Sequence, residues 1–110
     1  MKLPEEGMLL RVFIGESDTC KGKALYEQIV LKARELNLAG ATVTRGIMGY
    51  GADSRMHSAK LLKLSEDLPV IVELVDTEEN LDKLLPFLDE TVEEGLITFE
   101  KVKVIKYRHK

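Results

Sequence analysis

Residues 8–15, with the sequence MLLRVFIG, are a clear β-strand in this sequence, and the prediction of the fold starts from them. Apolar residues fill both parities of this stretch except at Arg11, and alternation with a period of two is typical of a β-strand. Residues 69–76, PVIVELVD, have the same character, with Glu73 as the interrupting charge. We therefore predict two strands, each with one apolar side and one side on which a charge lies between apolar residues.

Two segments have apolar residues at the spacing of an amphipathic helix, 24–36 and 81–92. Pro86 interrupts the second stripe, and because proline lacks an N–H it should kink or restart that helix. Asp76, followed three residues later by Glu79, resembles a capping arrangement. The second helix is therefore expected to begin close to these acids.

Two more segments alternate as strands, 41–48 and 96–107, while 55–68 fits either a short strand or an irregular arm. The element order is then β-α-β-β-α-β. Right-handed crossovers fold this order into an α+β, ferredoxin-like sandwich, a four-stranded antiparallel sheet with two helices on one face. We expect residues 1–110 to form one domain, since domains of roughly 100–150 residues are common.

The second face of such a sheet has no helix over it. The parity that carries Arg11 and Glu73 is predicted to lie there, with apolar neighbours on either side of each charge. A large exposed apolar patch needs a cover, and other copies of the same chain supply one most simply. Arg11 is expected to pair with Glu73 or with an acid of a neighbouring subunit.

Composition narrows the class of protein and its compartment. The formal net charge is −3, whereas general nucleic-acid binders are usually basic, so no nucleic-acid partner is expected. No apolar run approaches ~18 residues, so no segment is expected to insert into a membrane. A single cysteine, Cys20, and no signal peptide indicate the cytoplasm. Abundant Glu and Lys with few Asn and Gln favour a thermophilic source.

Residue types that carry catalysis or bind metals are not grouped in this sequence. His57 and His109 are far apart, and Cys20 lies beside Lys21 and Lys23 without a clear partner to act as its catalytic base. Paired carboxylates such as Glu93 and Glu94 are typical of solvated faces. We therefore expect no catalytic residue and no metal site, and the chain is predicted not to be an enzyme.

The stretch 45–51, RGIMGYG, is a candidate anion site because it joins an arginine to three glycines at a strand end. Glycines let backbone N–H groups approach an anion closely, and a guanidinium is a forked donor. Tyr50 could stack on a base or simply pack, and glycine-rich strand ends are also commonly just bends. The candidate ligand-binding residues are Arg45, Gly46, Gly49, Tyr50, Gly51, Arg55 and His57.

Residues 41–51, ATVTRGIMGYG, resemble the second strand of PII signal-transduction proteins, which ends in Gly-aromatic-Gly before a long loop. Residues 68–76 resemble the third PII strand. Over nearly its whole length the chain is similar to an uncharacterised PII-like family of small bacterial and archaeal proteins. The features that carry this likeness are 15–16 (GE), 22–26 (GKALY), 40–43 (GATV), 45–46 (RG), 49–51 (GYG) and 65–69 (SEDLP).

The resemblance implies a homotrimer of ferredoxin-like subunits whose sheets face the centre. It also implies a small anionic ligand, with ATP or ADP as candidates, in clefts between subunits. Residues 52–67 would be the arm that regulates a partner protein, with a membrane transporter or an enzyme as the candidate. The glycine-rich loop with a lysine that grips phosphates in PII corresponds here to 93–97, EEGLI, so that grip is missing or replaced.

Two alternative functions share the predicted fold. RNA-binding RRM modules stack bases on aromatic residues of the sheet, and Phe13 is the plausible one here on the two central strands. Acylphosphatases hold phosphate in a loop after the first strand, and the corresponding residues here, 15–18, are acidic. The sequence favours the PII-like interpretation over both.

Overall fold

The computed structural model describes residues 6–51 and 67–108, together with the backbone of residues 56–58. In these parts of the chain the helices are α1 (Leu25–Glu35), α2 (Glu78–Asp82) and α3 (Leu85–Thr91). The strands are β1 (Glu6–Gly15), β2 (Thr19–Cys20), β3 (Lys23–Ala24), β4 (Thr42–Arg45), β5 (Met48–Tyr50), β6 (Met56–Ser58), β7 (Pro69–Asp76) and β8 (Leu96–Lys103).

Strands β4, β7, β1 and β8 lie side by side in that order and pair antiparallel throughout. In the register of the two central strands, Val12 of β1 is opposite Val72 of β7, and on its other side Val12 is opposite Ile97 of β8. The architecture is the α+β, ferredoxin-like sandwich that the element order predicts. Residues 8–15, predicted as a strand, lie in β1, one of the two central strands.

The core lies between one face of this sheet and the helices. Its buried members come from the apolar parity of the two central strands and from the apolar stripes of the helices. They are Leu10, Val12, Ile14, Leu25, Ile29, Ala33, Val70, Val72, Leu74, Leu81, Leu84 and Leu88. All are aliphatic, so the fold is stabilised by the burial of branched and methyl-bearing side chains.

The start of α2 differs from the prediction. Thr77 is the N-cap, and its Oγ1 accepts a hydrogen bond of 3.1 Å from the Asn80 backbone N–H. Asp76, predicted to take part in the cap, is instead fully buried. Its carboxylate accepts bonds from the backbone N–H groups of Ala39 and Thr77, both at 2.7 Å, and from the Asn80 side chain at 2.9 Å. The acid ties the connection before β4 to the end of β7.

Proline divides the second helical stripe as predicted. Helix α2 ends at Asp82, and α3 begins at Leu85 with Pro86 in its first turn. A missing N–H is harmless at that point because the first amides of a helix have no partner within it.

The predicted strand 41–48 is divided as well. Strand β4 ends at Arg45 and β5 begins at Met48, with a bend between them. Residues 49–50 belong to β5, which pairs with β6. The polar segment 16–23 contains the short hairpin β2–β3, in which Lys21 and Gly22 have positive φ.

The face of the sheet opposite the helices carries the predicted ion pair. The Arg11 Nε donates to Glu73 at 2.8 Å, and its Nη1 donates to Glu100 at 2.7 Å. The hydrogen bond with Glu73, and then the negative charges of both acids, raise the pKa of Arg11 above its ordinary value. Because the folded-state pKa of Arg11 is raised, its protonation stabilises the fold below the ordinary arginine range while Glu73 and Glu100 are ionised, and this contribution is lost above that range.

The last strand is shorter than predicted, ending at Lys103 rather than 107. The following residues cross towards the opposite edge of the sheet, where the Tyr107 hydroxyl donates to the Ala39 carbonyl at 3.0 Å. This crossing forms one wall of a groove of about 860 Å³ on the helix-free face. Apolar side chains on its lining include Leu9, Val75 and Val102.

Candidate functional site

The structure places the candidate ligand residues where β4 ends, β5 begins and β7 starts. Arg45 is the last residue of β4 and lies opposite Val70 in the register with β7. Its side chain is 60% exposed. A guanidinium in this position can reach a ligand at the edge of the sheet.

Arg45 already has an anionic partner within its own chain. Its Nη1 donates to the Glu16 carboxylate at 2.9 Å. Glu16 directly follows β1, so the ion pair joins the ends of two strands that are not neighbours in the sheet. Any external anion that binds Arg45 must compete with this carboxylate or share the guanidinium with it.

Two of the candidate glycines have a structural reason to lack a side chain. A Cβ on Gly46 would lie 2.8 Å from Cγ of Pro69, and one on Gly49 would lie 3.0 Å from the same atom. The Gly46 N–H also donates to the Pro69 carbonyl at 2.7 Å. These glycines pack the bend against a proline ring, and the Gly46 amide is engaged there rather than pointing at an anion.

The rest of the predicted site is exposed or lies outside the described residues. Tyr50 is 71% exposed, and Gly51 borders open space. The backbone of His57 lies opposite Gly49 in the β5–β6 pair, but its side chain is outside the described part of the chain, as is the whole of Arg55. Of the seven candidates, the structure therefore brings Arg45, Gly46, Gly49 and Tyr50 to one end of the sheet and adds the backbone of Gly51 and His57.

The bend also carries exposed apolar side chains. Ile47 is 81% exposed and Met48 is 56% exposed, beside Tyr50. We call Ile47, Met48 and Tyr50 the arm-base patch, because these residues lead into the segment 52–67. Large apolar side chains in this number at one place are typical of a contact surface.

The turn after β1 is closed to phosphate. The Gly15 N–H donates to the Asp18 carboxylate and the Ser17 N–H to the Asp67 carboxylate, both at 2.9 Å. The Glu16 N–H donates to the Leu68 carbonyl at 2.8 Å. Because these amides are bonded to acceptors of the same chain, the turn does not offer the cradle of free N–H groups that an acylphosphatase-like loop needs.

Sequence reasoning missed Glu16 and Asp67 as parts of this site. Glu16 follows one predicted strand and Arg45 ends another, and strand parity alone does not show that two such ends are adjacent. The signal that could have found the pair is the antiparallel order itself, since it places the end of one strand beside the end of the next but one in the sheet.

Base-stacking residues are sparse on the helix-free face. Phe13 lies on this face, in the parity of Arg11, but the other aromatic residue of the main sheet, Phe99, packs against the core. An RRM-like platform needs several rings on one face. The described sheet does not present such a set.

Metal ligands and membrane-spanning helices were also sought in the described residues. Within 6–51 and 67–108, no three His, Cys, Asp or Glu side chains are grouped so that they could hold a metal ion. In the same part of the chain, no helix is long and apolar enough to cross a membrane.

Comparisons with known proteins agree with this architecture. The family described as "Uncharacterized ACR, COG1993", or DUF190, matches residues 7–104. A UPF0166 protein from Aquifex aeolicus is 42% identical over 99 residues, which cover 88% of this chain and 91% of that protein.

Among solved structures, CPII from Thiomonas intermedia K12, bound to ADP and bicarbonate, has a TM-score of 0.65 at 16% identity, covering 92% of this chain and 90% of that one. GlnK from B. subtilis, in complex with ATP, has a TM-score of 0.57 at 8% identity over 92% of this chain and 85% of that one. These likenesses confirm the PII-like fold that the residues of strand β4 and its bend indicated, and the chain belongs to the uncharacterised family DUF190.

Proposed function

We propose that the chain is a PII-like ligand-sensing protein that assembles as a homotrimer and binds a small anionic ligand in the clefts between subunits. ADP and ATP are the first candidates, and bicarbonate is the next. The observation that carries the proposal is the exposed Arg45 at the bent end of β4, next to the arm-base patch, on a PII-like fold.

The helix-free face of the sheet supports assembly. Arg11 on this face contacts both Glu73 and Glu100, so covering it does not bury a lone guanidinium. Half-buried apolar residues such as Phe13 and Val75 flank the ion pairs. A neighbouring copy that covers them would remove apolar surface from water.

The position of Arg45 and Tyr50 in the fold supports the proposal of an anionic ligand. CPII, which has the same fold, is bound to ADP and bicarbonate. In this chain a guanidinium and an exposed tyrosine, Arg45 and Tyr50, lie at one end of the sheet, and they could contact a phosphate or carboxylate and a base, respectively.

The output of such a sensor would pass through residues 52–67. We propose that this arm regulates a partner protein in the cytoplasm, with a membrane transporter or an enzyme as the candidate, and that the chain itself has no catalytic activity. A ligand changes the arm only to the extent that it binds two arm conformations with different affinity.

The test combines sedimentation with calorimetry. The 12.4 kDa chain should sediment as a trimer at micromolar concentration, and it should bind at least one of ADP, ATP and bicarbonate. Arg45→Gln should weaken that binding by about tenfold or more, because a hydrogen bond to a charged group is typically worth 1.5–3 kcal/mol. Lys32→Gln, which removes a lysine of α1, is the matched control and should bind as the wild type does.

A monomer at these concentrations would contradict the assembly. A trimer that binds none of the three ligands would contradict the ligand part of the proposal while leaving the assembly intact.

A further inference from the structure

We propose that Glu16 is a specificity-determining residue of the Arg45 site: it holds the guanidinium while no ligand is bound, and it selects against ligands of high negative charge. This inference rests on the proposed function, because it takes an anionic ligand at Arg45 as its starting point. It adds which anions the site favours and which residue makes that choice.

Glu16 is the fixed member of the ion pair. Its backbone N–H is bonded to the Leu68 carbonyl, and the next residue, Ser17, donates to Asp67. The Glu16 side chain is 28% exposed, against 60% for Arg45. A ligand can therefore draw the exposed guanidinium towards itself, but it cannot readily displace the carboxylate from the neighbourhood.

Two further acids are bonded to the backbone of the turn that carries Glu16. Asp18 and Asp67 each accept a backbone N–H from the same turn, so they are held in place by bonds that do not neutralise their charge. A Cβ on Gly15 would lie 2.5 Å from an oxygen of Asp67, which shows how closely the acid is packed against the turn. An anion bound at Arg45 is thus placed next to an acidic turn whose carboxylate nearest to Arg45 is that of Glu16.

Repulsion from Glu16 grows with the charge of the ligand. At a separation of roughly 7 Å in water, each added negative charge on the ligand should weaken binding by about twofold at low ionic strength and by about 1.5-fold at physiological salt. The site should therefore favour singly or doubly charged anions over a triphosphate. A purely structural role for Glu16 would shift the binding of all ligands equally.

The experiment measures the affinities of AMP, ADP and ATP by calorimetry at low and high salt. In Glu16→Gln, which keeps the shape and removes the charge, all three should bind more tightly than to the wild type. The gain should rise by about twofold from AMP to ADP and again from ADP to ATP, and it should shrink at 1 M salt. Glu35→Gln, which removes an acid from the far end of α1, is the matched control and should leave the series unchanged.

A second variant, Glu16→Ser, guards against an effect specific to glutamine, and melting curves show whether each variant is folded. A gain that is equal for the three nucleotides, or weaker binding in both variants, would overturn the role of Glu16 while the ligand site stands. Tight binding by Glu16→Gln alone would support the role, because it reveals a site that the acid had closed. If neither wild type nor variants bind any nucleotide, the nucleotide form of the proposed function falls, and this inference with it.

Discussion

At the scale of single residues, the least expected feature is a carboxylate with no solvent exposure. Asp76 accepts three hydrogen bonds, from Ala39, Thr77 and Asn80, and two of these donors are backbone amides. The sequence suggested a helix cap because the acid precedes a helix. The decisive partner is Ala39, 37 residues earlier, and a contact at that separation leaves no local signal.

Replacing this acid should strongly destabilise the fold. Asp76→Ala should lower the free energy of unfolding by about 2–4 kcal/mol, because the Ala39 N–H and the Asn80 amide lose their acceptor in a buried place. Denaturant unfolding followed by circular dichroism measures the change. Asp89→Ala, on the exposed face of α3, should stay within about 0.5 kcal/mol, and an equal effect of the two changes would refute the buried network.

The glycines at the bend offer a second prediction at this scale. Gly46→Ala should destabilise the protein by about 1–3 kcal/mol, since its Cβ would lie 2.8 Å from the rigid ring of Pro69. Gly51→Ala should have little effect, because nothing lies within 4 Å of its added Cβ. If both variants melt at the same temperature as the wild type, the glycine–proline packing is wrong. The sequence predicts both glycines as anion-binding residues. It could not show that Gly46 packs against Pro69, because the two residues are distant in the chain.

At the scale of elements, periodicity predicted the four main strands, α1 and the restart at Pro86. It failed at the ends of elements. The predicted strand 41–48 bends after Arg45, where the Gly46 N–H leaves the strand direction to meet the Pro69 carbonyl. The predicted strand 96–107 ends at Lys103, beyond which the chain crosses the sheet. Both ends are set by tertiary hydrogen bonds, which alternation of residue types does not encode.

The hydrogen bond that caps the start of α2 can be tested by replacing Thr77. Thr77→Ala should lower the free energy of unfolding by about 1 kcal/mol, because the Asn80 N–H loses its side-chain acceptor. Thr77→Ser keeps an acceptor oxygen and should recover most of the loss. Equal destabilisation by alanine and serine would mean that the Thr77 methyl group, and not its hydroxyl, matters.

At the scale of the whole molecule, the fold could be predicted because element order and strand parity agree on it. The number of subunits could not be derived in the same way, since an uncovered face shows that something packs on it but not what does. The single-domain prediction for residues 1–110 likewise stays a prediction. A family likeness extending over residues 7–104 is compatible with it.

The proposed homotrimer depends on contacts made by the helix-free face of the sheet. Val75→Lys should dissociate the proposed trimer into 12.4 kDa monomers, because it places a charge among the apolar residues of the helix-free face. Leu31→Lys, on an exposed position of α1, should leave the sedimentation unchanged. A trimer that survives Val75→Lys but not Leu31→Lys would place the interface on the helices instead.

The predicted thermophilic character is a property of the whole chain too. The wild type should melt above the mesophilic range of ~45–65 °C. A scanning calorimetry midpoint within that range would contradict the inference drawn from its Glu and Lys content.

Both backbone groups of Ala39 are hydrogen-bonded, since its N–H donates to Asp76 at 2.7 Å and its carbonyl accepts from the Tyr107 hydroxyl at 3.0 Å. Backbone amides in connections outside helices and strands usually exchange their hydrogen for deuterium rapidly. The amide hydrogen of Ala39 should exchange nearly as slowly as those of the central strands, because exchange requires Asp76 to leave its buried position. The exchange rate of one loop amide would then report the opening of the whole fold.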